Sequence, residues 1–144
     1  MMLVWVSQSI MSGDMLLGGV LITTNCDQPT IRLTIDPADD GRPLRDLVAE
    51  ALGGAAAADL LIARGGLWLD GSRLRGDDML ARAGAELAIH RPLAGAYPDV
   101  AVAAEQILYE DGDLLALNKP AGAYVDSTPW DAEGNLHAAL ERFL

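Results

Sequence analysis

Lysine occurs once in the 144 residues, at position 119, and cysteine once, at position 26. A single cysteine excludes an intrachain disulfide. With no evident base or metal partner it reads as an inert thiol, and a reducing cytoplasm is the expected compartment. No run of about 18 uncharged apolar residues follows the N-terminal segment, so no membrane-spanning helix is expected. The apolar opening Met1-Met-Leu-Val-Trp-Val-Ser-Gln-Ser-Ile10 has no Lys or Arg before it, and so lacks the basic end of a secretory signal. Met11 and Met15 offer later starts, and residues 1–30 read as a dispensable leader with a mis-assigned start.

Basic residues are also scarce: 10 against 21 acidic ones, a net charge of −11. A protein that simply coats nucleic acid draws its affinity from neutralising phosphates, and this balance speaks against that class. The deficit is uneven along the chain. Between Arg42 and Arg91, seven arginines face seven acids, whereas from Asp99 onward nine acids face only Lys119 and Arg142. The middle is therefore neutral and arginine-bearing, and the end is acidic. With 51% apolar residues and a mean hydropathy of +0.19, the chain has the composition of a core-forming protein.

Ile31-Arg-Leu-Thr-Ile35 alternates apolar with polar residues and predicts a half-buried strand. Pro43 stands where a first helical residue would, and Leu44, Leu47, Val48, Ala51 and Leu52 share one helical face up to Gly53-Gly54. A short helix from Ala55 to Arg64 stops at Gly65-Gly66 in the same way. Asp70-Gly71 between two apolar runs predicts a tight hairpin, and Leu87-Ala-Ile-His90 a closing strand. Residues 31–92 thus read as a small strand-helix-helix-hairpin-strand domain, and residues 93–104 as a linker. A second hairpin is expected around Glu110-Asp-Gly-Asp113. Its second strand, Leu114-Leu-Ala-Leu-Asn118, is apolar enough to belong inside a sheet covered on both faces. Asn135 caps a last helix carrying Leu136, Ala139, Leu140 and Phe143 on one side. The fold class is α+β.

Two segments resemble a known family. Gly66-Leu-Trp-Leu-Asp-Gly71 and Gly84-Ala-Glu-Leu-Ala-Ile89 resemble the hairpin and closing strand of a small RNA-binding domain found in a ribosomal small-subunit protein and in RNA-modifying enzymes. Ile107-Leu-Tyr-Glu-Asp-Gly-Asp-Leu-Leu-Ala-Leu-Asn-Lys-Pro-Ala-Gly122 resembles the first motif of the RluA-type pseudouridine synthases, in which that same domain precedes it. The resemblance implies isomerisation of uridine in rRNA or tRNA, without cofactor, on a base flipped out of structured RNA. Residues 105–144 would then be the incomplete start of the mixed-sheet catalytic domain. The tetrad His-Arg-Leu-Asp, which carries the family's catalytic aspartate, is absent from these 144 residues. The chain is accordingly expected to be an N-terminal portion, with RNA binding as its residual activity and no isomerase activity of its own.

On this reading Asn118, Lys119, Pro120 and Gly122 shape the wall of the catalytic cleft, Lys119 as architecture and not as nucleophile. Arg64, Arg73 and Arg75 flank the short helix and hairpin and are the candidates for phosphate, with Arg42 and Arg45 weaker ones on the first helix; guanidinium suits bidentate phosphate recognition. The ordinary alternative for all five is a surface arginine offsetting nearby acids. Glu110, Asp111 and Asp113 read as a solvated turn and not as a metal site, Asp126 and Asp131 as loop caps, and His90 and His137 as structural. No metal or cofactor is expected. Two rival readings remain: a standalone RNA-binding module with a degenerate catalytic remnant, and an acidic protein-interaction domain.

Overall fold

The computed structural model of the chain describes residues 15–17, 20–22, 30–76 and 79–144. Most of the expected leader, with Cys26, lies outside the described residues. Within it, β1 (Met15–Leu17) pairs antiparallel with β2 (Val20–Ile22).

From residue 30 the elements follow the order read from the sequence. They are β3 (Thr30–Thr34), α1 (Leu44–Leu52), α2 (Ala55–Ala63), β4 (Leu67–Leu69), β5 (Ser72–Arg73) and β6 (Glu86–His90). The strands form one antiparallel sheet in the order β3-β6-β4-β5. β6 is central, so its Leu87, Ala88 and Ile89 are all buried, while β3 on the edge alternates buried Ile31 with exposed Arg32. Pro43 is the residue before α1 and not the first within it, with ψ 128°. Gly53 ends that helix in the left-handed conformation at φ 75°. The hairpin turn places Asp70 at φ 47° and Gly71 at φ 76°, the double positive φ its sequence demanded.

Leu44 and Val48 of α1 and Ala58 and Leu61 of α2 close over Ile31, Ile35, Leu67, Leu87 and Ile89. Leu87 and Ile89 are completely enclosed. Burying each such side chain contributes about 1.5–3 kcal/mol.

The segment expected as a linker is mostly exposed but anchored at two points. Tyr97 is half-buried, and Val100 is buried with Leu136 and Ala139 in a second apolar cluster. β7 (Ile107–Glu110) and β8 (Leu115–Leu117) form a two-stranded antiparallel hairpin. The hairpin is as expected, and the larger sheet expected around its second strand is not found among the described residues. β8 has one strand neighbour among the described residues, its three residues are half-buried, and Leu114 before it is 60% exposed. The apolar character of Leu117 is met by Val100, Val102, Ala123 and the last helix. That helix, α3 (Leu136–Phe143), is capped as expected by Asn135, whose Oδ1 accepts from the Ala138 N–H at 2.9 Å. No helix among the described residues is long and apolar enough to cross a membrane.

Candidate functional site

A cleft of about 880 Å³ opens between the end of α2, the strand β5 with the residues after it, and α3. Its lining includes Arg73 and Arg75 on one side and Asp126, Asn135, His137 and Arg142 on another. Arg73 and Arg75 alternate along an extended segment and so fall on one face of it.

The five candidate arginines do different things. Arg42 pairs with Asp39 at 2.5 Å and with Glu50, and these two carboxylates hold its guanidinium more firmly protonated than usual. Arg45 grips Asp59 in a fork, Nε to Oδ1 at 2.5 Å and Nη2 to Oδ2 at 2.9 Å. The hydrogen bond from Arg45 draws the Asp59 carboxyl below its ordinary range. Both pairs lie at the surface, where such contacts are worth about 0–1 kcal/mol and yield readily to a competing phosphate.

Arg64 follows α2 directly and points toward the second half of the chain. Its guanidinium lies over the Tyr97 ring, 5.2 Å from the centroid, donates to the Pro98 carbonyl at 3.4 Å and reaches Asp131 Oδ2 at 3.5 Å. Its own carbonyl, one of those left open where a helix ends, accepts from the Ala132 N–H at 2.7 Å. Burial, and then the Asp131 charge, raise the Tyr97 hydroxyl above its ordinary value, against the opposing pull of Arg64. Arg73 donates to the Thr128 carbonyl and lies over Trp68 at 5.1 Å, while Trp68 Nε1 donates to the Pro129 carbonyl at 2.9 Å. Burial first, and the like charge of Arg75 second, depress the Arg73 pKa. Arg75 is exposed and makes no hydrogen bond or ion pair to another described residue.

Asp131 is the residue whose surroundings the sequence did not disclose. Its loop-capping role holds: Oδ1 accepts from the N–H groups of Glu133 and Gly134, both at 2.9 Å. Yet it is only 2% exposed, and Oδ2 takes no hydrogen bond from a described residue, leaving Arg64 to meet its charge. The chain around it tolerates no added bulk. A Cβ on Gly134 would lie 2.2 Å from Asp131 Oδ2 and 2.7 Å from the Pro98 carbonyl. The pattern Asp131-Ala-Glu-Gly134, with aspartate first and glycine fourth, is a turn signature that marks the cap but not its burial.

Asn118, Lys119, Pro120 and Gly122 are all exposed, and none of them lines the cleft. Lys119 Nζ folds back on its own turn, donating to the carbonyls of Ala123 at 3.0 Å and Pro120 at 3.3 Å. Gly122, at φ 82°, turns the chain there. The lysine therefore secures a turn and is not directed at the Arg73–Arg75 wall.

The acidic hairpin turn is organised by Asp111, which accepts from the Tyr109 hydroxyl at 2.6 Å and from the N–H groups of Asp113 and Leu114. Those bonds, the hydroxyl first, hold its carboxyl below the usual range. Among the described residues no group of three or more His, Cys, Asp or Glu is placed to hold a metal ion. His90 Nδ1 lies 3.0 Å from Thr30 Oγ1 and its ring meets Trp68 edge to face; burial, then Arg32 and Arg73, lower its pKa. His137 is exposed on α3, 3.8 Å from Glu141.

No family model matches the chain, and no curated protein is significantly similar to it.

Proposed function

We propose that the chain is an RNA-binding protein of the pseudouridine-synthase type. Residues 31–92 would be its RNA-binding domain, and structured rRNA or tRNA its partner. The observation that carries this reading is Arg75, exposed on the wall of an open cleft and uncommitted to any other described residue. Its guanidinium can take a phosphate, and the like charge of Arg73 beside it, though committed to the Thr128 carbonyl, adds to the attraction for an anion. The order of the elements also favours it: the small α+β unit precedes the hairpin and the Asn118-Lys119-Pro120 turn, as the resemblance requires. The family's tetrad with its catalytic aspartate is not in the sequence, so the proposed activity of these 144 residues is binding, without isomerisation and without cofactor.

With a net charge of −11, long-range attraction to RNA is absent, and affinity must come from a few close phosphate contacts. Binding of a structured RNA is therefore expected to be weak, with a shallow salt dependence set by those few contacts. Arg75→Ala is expected to weaken it about equally for unrelated RNA sequences and to flatten the slope of log K against log salt by about one unit or slightly less. Fluorescence anisotropy over a range of salt concentrations reads both effects. An unchanged slope would remove Arg75 from the interface, and no binding at low salt would remove the RNA reading itself.

A further inference from the structure

We propose that Arg64, Asp131 and Arg73 form a clasp that locks residues 97–134 onto the first unit, so that the cleft keeps its width without a ligand. The segment from Leu93 to Ala104 looks like a tether by composition, yet the chain is fastened within it and beyond it. Arg64 is spent on Tyr97, Pro98 and Asp131, and Arg73 on Thr128. Backbone and ring bonds run between the same two stretches, Ala132 N–H to the Arg64 carbonyl at 2.7 Å and Trp68 Nε1 to the Pro129 carbonyl at 2.9 Å. Arg142 of α3 completes the second half by donating to the Val100 carbonyl at 3.2 Å.

The charge inventory explains why the clasp stays shut. Opening the interface would draw a buried carboxylate away from the Arg64 guanidinium that pairs with it and from the charge of Arg73, which is costly. The interface is also tight, since a Cβ on Gly65 would lie 3.2 Å from the Ala132 Cβ and one on Gly66 would lie 3.3 Å from the Trp130 carbonyl. Two of the three strongest phosphate candidates are thus internal fasteners. They fix the separation between the β5 wall and α3, and Arg75 is left to meet the ligand. This conclusion stands whether or not that ligand is RNA.

Hydrogen exchange on the full chain tests it residue by residue. The Ala132 amide reports the closed interface, and the Ile35 and Gly84 amides, bonded to the Ala85 and Ile35 carbonyls, report the first unit alone. In the unaltered protein, protection at Ala132 is expected to lie within about tenfold of those two, since locked units open together. Free exchange at Ala132 beside a protected first unit would overturn the clasp with no variant involved. Arg64→Met with Arg73→Met is expected to lower protection at Ala132 at least about 100-fold relative to Ile35 and Gly84. An unchanged ratio would equally overturn it. Failure of the Arg75 experiment leaves this result untouched, so the two proposals fail separately.

Discussion

Replacing Arg64 by alanine is expected to destabilise the chain by about 3–5 kcal/mol, more than any other single surface-reaching substitution. The size follows from what is left behind. Asp131 is 2% exposed, and Arg64 is the cation beside its Oδ2, so the variant leaves a buried carboxylate without that partner. The lost Tyr97 face and the Pro98 bond add to the loss. Asp131→Asn is expected to cost much less. Its amide oxygen still accepts the Glu133 and Gly134 N–H groups, and Arg64 reaches solvent with about a quarter of its side chain already exposed. Combining the two should recover much of the Arg64→Ala loss, because the stranded charge is gone. Urea denaturation of the four proteins gives this cycle directly. Additive losses would show that the pair is not coupled.

The second large effect is expected at Leu87, where alanine should cost about 2–5 kcal/mol. Leu87 is completely enclosed on the central strand β6, paired with Leu33 of β3 on one side and Leu69 of β4 on the other. Truncation opens a cavity between the sheet and both helices, and neighbours held by two ladders collapse poorly into it. Calorimetry is expected to show one transition moving down as a whole, since the clasp couples the halves. Two separated transitions, with the later residues unmoved, would mean that the halves unfold independently.

The elements were legible where local chemistry decides them. Gly53 and Asp70-Gly71 stop or turn the chain through backbone conformations that little else adopts, and Asn135 supplies the oxygen a helix start lacks. The alternation through Ile31 to Ile35 predicts a half-buried strand, and β3 has buried Ile31 beside exposed Arg32. The run Leu114 to Leu117 has no polar break, yet only Leu117 packs into an apolar cluster and Leu114 stays 60% exposed, because β8 has a single strand neighbour among the described residues. The candidate site was legible in part. Arginine at 64, 73 and 75 was seen, but the same fork that suits a phosphate also suits a carboxylate and a carbonyl. Which acceptor each guanidinium found depends on how residues 97–134 fold back, and Asp131, set in a turn of Ser, Thr and Pro, carries no local sign of burial.

The most direct measurement is a map of backbone amide shifts as a short structured RNA is titrated onto the full chain at low salt. Shifts are expected to gather at Arg73 to Gly76, Asp126 and Ser127, and along the cleft side of α3, with little change at Lys119 or along α1. Shifts centred on Lys119 to Gly122, or none at all, would contradict the account.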